Sequence, residues 1–447
     1  MLLGGWDSPL AMLRQELIQL EEEGFIVPDE LKNRIAALDA SAPWADEIEA
    51  IYPELEGLER KTGFNYVEPN EWEDIRAVAP SAPAVTLACS DEELLDKLHG
   101  AYTGRFAGCA LGQVVEGWSM DAIREYLEKC GDYPLRDFIS NRHRSDSCWI
   151  QANHPAWKEN VQFMGPDDDV NYTLMGLHVL EKYGRDFKWF DVASEWNSCL
   201  PYATICTAET QAILNYNTRH ARCAGAARVA TTPQYTRRFN NPYREWIGAQ
   251  IRADGWAYCA AGDPLLAAEF AYRDACWTHE KNGIYGELFF AAMISASFAE
   301  SDIDRLVEIA LGVIPANCRL SEAVRLTQKW CGELPDFESF MRRMDEHFPT
   351  MSAVHTINNA MICLMSLYYG KLDPDLSIAI SVMAGKDTDC NGATVGSIVG
   401  AISGYKRFGG TLAPQLNDRV KPQMFGFQDT TMTELAERTL KMRKKIS

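Results

Sequence analysis

The sequence predicts an all-α fold on three observations: paired helix start and stop signals, apolar residues spaced by three and four, and a scarcity of alternating β-branched runs. No solenoid-length repeat and no low-complexity tract argues otherwise. Ser90 and Glu93 have the spacing of a capping box ahead of Leu94, Leu95 and Leu98, so a helix starts there. Further helices are expected over Thr173–Tyr183, stopped by Gly184, and over Pro264–His279, capped by Asp263 with Pro264 in the first position. Gly286–Glu300, Ile303–Leu311, Ala353–Tyr369 and Asn391–Ser403 complete the helical pattern.

Residues 1–92 differ in character from residues 93–447. They hold two acidic helical stretches, LRQELIQLEEEG and ELKNRIAALDA, prolines at 43, 53, 69, 80 and 83, and tryptophans at 6, 44 and 72. A solvated linker rarely carries tryptophan, so this reads as a helical N-terminal extension packed on a main body formed by residues 93–447.

With 447 residues and 47% hydrophobic content, the chain can bury at least one large core. Its 43 basic and 63 acidic side chains give a net charge of −20, which argues against nucleic acid and anionic membranes as general partners. Thirteen cysteines include no CxxC pair and no Cys/His cluster at zinc spacing, which fits a reducing cytoplasm better than a disulfide framework. The start, MLLGGWDSPL, has no basic n-region or apolar run of signal-peptide length. The apolar run from Gly392 to Gly404 falls short of the roughly 20 residues a membrane span needs. A soluble, cytoplasmic protein is expected.

Two stretches carry small residues at helical spacing: Gly104, Ala107, Gly108 and Gly112, and then Gly392, Gly396, Gly400 and Gly404. Glycine inside a helix costs roughly 1 kcal/mol relative to alanine, so such stripes call for close helix contact.

Two acidic clusters carry the chemistry: Asp167, Asp168 and Asp169 in GPDDDVNYTL, and Asp387 and Asp389 in AGKDTDCNG. Each precedes an apolar helical stretch, without lysines or arginines at pairing distance along the helix. Five carboxylates converging on one spot would repel unless cations held them, and oxygen-only ligands suit Mg²⁺, Mn²⁺ or Ca²⁺. Such a site polarises a substrate oxygen and makes a water nucleophilic. As separate clusters they would be helix N-caps favoured by the dipole. Glu116, four residues after Gly112, could reach the same centre.

This order of segments, a small-residue helix ending in Glu, a DDD turn before a helix and a DxD before a glycine-striped helix, resembles the ADP-ribosylglycohydrolase family. The resemblance runs from about Lys97 past Gly404 and includes the middle segment from Ile251 to Phe298. It implies an all-helical bundle and a two-metal site, Mg²⁺ or Mn²⁺, that binds the diol of a distal ribose. It also implies hydrolysis of the bond from C1 of that ribose to an acceptor. The family's Thr-Asp-Asp-Thr motif falls on Asp167, Asp168, Asp169 and Val170; its Gly-Asp-Thr-Asp-Thr-Asn motif falls on Lys386, Asp387, Thr388, Asp389, Cys390 and Asn391. The implied metal ligands are therefore Asp167, Asp168, Asp169, Asp387 and Asp389, and the implied catalytic residues Glu116 and Asp168. His279, in CWTHEKNG, matches the family's substrate-side histidine, and Trp246, Gly248, Arg252 and Tyr285 are expected beside it as substrate-binding residues. Three departures stand out. Asp167 adds a charged oxygen, Cys390 replaces a hard hydroxyl by a soft sulfur, and Val170 cannot coordinate.

The segment TPQYTRRFNNPYREWIGAQIR offers Arg237, Arg238, Arg244 and Arg252 among Tyr235, Phe239, Tyr243 and Trp246, a composition suited to a diphosphate and a stacked base. The expected substrate is an ADP-ribosylated protein or a ribosylated small molecule. Two alternatives are a hydrolase of another nucleoside-like N-glycoside and a non-catalytic ADP-ribose-binding pseudoenzyme. A class I terpenoid synthase would have to use Asp167, Asp168 and Asn171, but the sequence has no matching Asn/Ser/Glu triad.

Overall fold

The two glycine stripes form one seam. In the computed structural model, which describes residues 8–42, 46–145, 148–219, 231–408, 410 and 412–446, the first stripe lies in the helix Asp91–Gly112 and the second in Thr388–Ser403, with its last member Gly404 as the C-cap. Three glycines of each helix face a glycine carbonyl of the other: Gly100 meets Gly400, Gly104 meets Gly396 and Gly108 meets Gly392. A Cβ at any of these positions would lie closer than 3.0 Å to partner backbone. The seam is therefore a direct backbone-to-backbone contact that side chains would abolish. At its lower end the Thr388 hydroxyl donates to the Gly112 carbonyl at 2.8 Å.

Ser90 caps the first striped helix in a complete capping box with Glu93. Around the seam stand Asn282–Ser297 and Thr356–Gly370, both buried over most of their circumference, so neither shows a polar face. Among the described residues the structure contains helices, short 3-10 turns and isolated bridges, and no strand. No helix among them is long and apolar enough to cross a membrane.

Several helices begin earlier than their apolar pattern. Asp168–Tyr183 starts five residues before Thr173, and Thr388–Ser403 starts three before Asn391. In both cases the acidic residues thought to form a preceding turn supply the N-cap and first helical turn, where free N–H groups and the dipole favour carboxylates. Pro264–Ala275 ends short of His279, and Asn282–Ser297 starts ahead of Gly286.

The N-terminal residues build a separate apolar cluster from Leu10, Leu13, Leu17, Leu20, Leu31, Ile35 and neighbours. Residues 59–90 then run across the main body, where Val67 donates to the Asn317 carbonyl at 2.8 Å and Ala316 to the Val78 carbonyl at 3.2 Å. Trp72 packs on the main cluster, its ring 5.4 Å from that of Tyr272. Trp6, Pro43 and Trp44 lie outside the described residues.

Candidate active site

The seam brings the acidic segments together. Gly117 donates to the Lys386 carbonyl at 2.8 Å and Lys386 to the Trp118 carbonyl at 3.0 Å, which sets Glu116 beside Asp387. This pairing needs Lys386 in the left-handed region, at φ 64°, a conformation glycine adopts more readily. Its ammonium points away from the carboxylates, to Asp345 at 2.8 Å.

Ligand atoms of Glu116, Asp387 and Asp389 lie within 4.8 Å of one another, as do those of Asp169, Asp389 and Cys390, and those of Cys109, Asp167 and Asp169. The two clusters, more than two hundred residues apart in the chain, thus meet through Asp169 and Asp389. Asp168 lines the same cleft as Glu116, Asp167, Asp387 and Asp389. Asp167 caps its helix by accepting from the Asp169 N–H at 3.0 Å, while Gln113 donates to its other oxygen at 2.6 Å. Asp389 is buried, and its Oδ1 has no hydrogen-bond partner.

Crowding shows in the electrostatics. Burial, reinforced by Asp387 and Asp167, pushes the Glu116 carboxyl up to about 8. Burial likewise raises Asp168, Asp387 and Asp389, and neighbouring carboxylates add to it. Asp169 is also raised by burial, although Arg105 opposes the shift. Arg105 is fully buried and forks between Asp169 Oδ1 at 2.7 Å and Asp254 at 2.7 Å, and it also donates to Thr173 Oγ1 at 2.6 Å and the Ile251 carbonyl at 2.6 Å. A buried carboxylate without a partner is costly, and a bound cation is the usual remedy. The donor set fits one: oxygen from the carboxylates, with a single soft sulfur from Cys390.

The cleft, of about 480 Å³, is lined besides the acids by Trp246, Ile247, Gly248, Ser352, Ala353 and Val354. Trp246 and Gly248 thus line it. Arg252, His279 and Tyr285 are not among the residues that line it. Arg252 is buried behind the wall, bonded to Asp274 at 2.9 Å and Glu209 at 2.8 Å. His279 is buried next to it, its Nδ1 2.8 Å from Thr278 Oγ1 and its Nε2 3.9 Å from Glu209. Burial and the nearby Arg252 charge keep its pKa well below the usual histidine range. Tyr285 donates to the Pro69 carbonyl of the N-terminal segment. Carboxylates hold the Arg252 guanidinium and a backbone oxygen holds the Tyr285 hydroxyl, whereas His279 Nε2 is buried without a hydrogen-bond partner.

The arginine-rich segment is also committed elsewhere. Arg244 is fully buried against Glu16 and Glu23, Arg237 bonds Glu71, and Arg238 bonds Glu280. None of the three lines the cleft.

Two residues at the site carry no sequence motif of their own. Glu209 lines the cleft from the first turn of Thr207–Arg219, and burial, opposed by Arg252, raises it to about 7. It sits so close under Gly248 that a Cβ there would collide with its carboxylate. An acidic residue in a helix's first turn is too common to mark it in sequence. Arg105 did leave a trace, as the one charged residue within a stripe of small and apolar neighbours.

No curated protein sequence matches the chain. A solved structure titled "ADP-ribosylglycohydrolase-related protein complex" is similar over 80% of this chain and 100% of its own, at 16% identity and a TM-score of 0.46. The model of the ADP-ribosylglycohydrolase family matches residues 90–446. The chain therefore belongs to the ADP-ribosylglycohydrolase family and is a glycosidase acting on ADP-ribosyl compounds.

Proposed function

We propose that the cleft hydrolyses the bond between C1 of a ribose and an acceptor side chain in an ADP-ribosylated substrate, with two divalent cations, Mg²⁺ or Mn²⁺, as resident cofactors. The observation that carries this reading is Asp389: a buried carboxylate, one oxygen without a partner, within 4.8 Å of both Glu116–Asp387 and Asp169–Cys390. Asp167, Asp168, Asp169, Asp387 and Asp389 would hold the cations, which when bound fix a ribose diol and sharpen a water as nucleophile. Glu116, partly buried beside Asp387 and Asp389, takes the proton from the water that attacks C1 and returns one to the leaving group. Asp168 orients that water from the opposite cluster. Trp246 supplies an aromatic wall, and Gly248 beside it lets the Glu209 carboxylate approach, in a cleft within the roughly 300–1,000 Å³ usual for small ligands.

The acidic surface makes a protein or small-molecule conjugate the natural partner, not a nucleic acid. The cysteines among the described residues are free, in keeping with a cytoplasmic setting. The test is release of free ADP-ribose from an ADP-ribosylated arginine or serine peptide, with and without chelator. Mg²⁺-dependent release lost in Asp168→Asn and Glu116→Gln is expected. Tight ADP-ribose binding without turnover, or turnover only on a nucleoside lacking a diphosphate, would refute it.

A further inference from the structure

The wall of the cleft is two chain segments lying side by side. Trp246 and His355 form an antiparallel bridge, Ile247 donates to the Val354 carbonyl at 2.9 Å, and Thr356 to the Glu245 carbonyl at 3.1 Å. Toward the cleft these segments present Trp246, Ile247, Gly248, Ser352, Ala353 and Val354. Away from it they present Arg244, Glu245 and His355, each fully buried.

Those buried charges are met largely by the N-terminal extension, which lies outside the stretch matched to the family. Arg244 donates to both oxygens of Glu16, at 2.6 and 3.0 Å, and to Glu23 at 2.8 Å. Gln19 donates to Glu245 at 2.8 Å and to Glu23 at 3.0 Å. Glu68 bonds Arg319 at 2.8 Å, and Arg319 in turn reaches Glu245 at 2.6 Å. His355 Nε2 lies 3.6 Å from Glu22. Without Glu16 and Glu23, the nearest remaining carboxylate to the Arg244 guanidinium is Glu280, at 3.7 Å. A buried guanidinium left so poorly matched moves, and Trp246 is two residues along the same backbone.

We infer that Glu16, Gln19 and Glu23 are positioning residues: the N-terminal extension clamps the reverse side of the cleft wall and so sets ligand affinity, while the acidic centre is held separately by the glycine seam. The inference rests on the proposed reading of the cleft as the substrate site. It predicts a split between binding and turnover that a general loss of stability does not produce.

The experiment uses the full chain with Glu16→Gln, and Gln19→Ala as the milder second variant. ADP-ribose affinity is measured by calorimetry, kcat and KM on an ADP-ribosylated peptide, Mg²⁺ affinity by titration, and hydrogen exchange across residues 244–248 and 352–356. The dissociation constant and KM should rise about tenfold, with kcat and Mg²⁺ affinity within about twofold of the parent. Exchange should accelerate in those two segments. Unchanged affinity with unchanged exchange overturns the inference, as does a parallel fall of kcat, Mg²⁺ affinity and KM performance. If the parent protein binds no ADP-ribose, the substrate reading fails. The exchange data then decide the clamp alone: acceleration confined to 244–248 and 352–356 supports it, and its absence defeats it.

Discussion

Gly108→Ala and Gly332→Ala are the same chemical change in two surroundings, and they should move stability in opposite directions. At Gly332, in an exposed position near the end of Arg319–Glu333, an added Cβ meets nothing within 4 Å. Alanine there should stabilise by up to about 1 kcal/mol through helix propensity and a less flexible unfolded chain. At Gly108 the same atom would lie inside 3.0 Å of the Gly392 backbone, while ordinary contact begins at 3.4 Å. The two helices must separate by roughly an ångström or more, and no rotamer can relieve a clash with a carbonyl. Overpacking of this kind costs about 1–3 kcal/mol, and opening the seam loosens contacts along its whole length. Offset by the propensity gain, Gly108→Ala should destabilise by up to about 2 kcal/mol, and since that gain is common to both variants they should differ by the overpacking cost of about 1–3 kcal/mol. Urea denaturation at constant m-value measures it. Equal stabilisation of both variants would mean that the seam is looser than described, and the placement of the acidic centre would lose its foundation.

Other outcomes follow from the same geometry. Gly112→Ala would push a Cβ against the Thr388–Asp389 backbone, so it should lower kcat on the order of 10²-fold, more than its effect on stability accounts for. Arg105→Leu leaves Asp169 and Asp254 buried without their shared partner and should cost about 3–5 kcal/mol by chemical denaturation, with little relief from Lys in the same place. Glu116, raised from 4.5 to about 8, binds its proton more tightly in the folded chain than in the unfolded one. Its contribution is fully present below the unfolded value and is lost as pH rises through the folded one, so the cation-free protein should lose melting temperature between about pH 5 and pH 8. Mg²⁺ displaces that proton, so its stabilising shift in a thermal scan should grow over the same interval; a shift that shrinks would contradict the assignment. Cys390→Thr restores a hard oxygen and should raise Mg²⁺ affinity while lowering Cd²⁺ affinity, both read by calorimetry.

Much of the fold was legible because its signals are local. The Ser90–Glu93 box, the Asp263–Pro264 start and the Gly184 stop each act within one helical turn, and each stands where expected. The glycine stripes were legible for another reason, since glycine at every turn is expensive unless something fills the groove. The acidic residues were visible, but their place inside the first helical turns was not, because apolar periodicity begins only after them. The arginine-rich segment misled: its composition suits a diphosphate, yet Arg244 and Arg237 are matched by Glu16, Glu23 and Glu71 from the N-terminal extension. Which carboxylate neutralises which guanidinium is a long-range fact that no spacing records. His279 and Arg252 stand behind the cleft for the same reason, their partner Glu209 being silent in sequence.

The seam also has a consequence for biosynthesis. Gly112 and Thr388, bonded in the finished protein, are 276 positions apart. At about 5–20 residues per second, a ribosome finishes the first helix roughly a quarter of a minute to a minute before its mate emerges. Throughout that wait its bare ridge of backbone is exposed to any other helix, so a nascent chain stalled before residue 388 should be an unusually good client for chaperones.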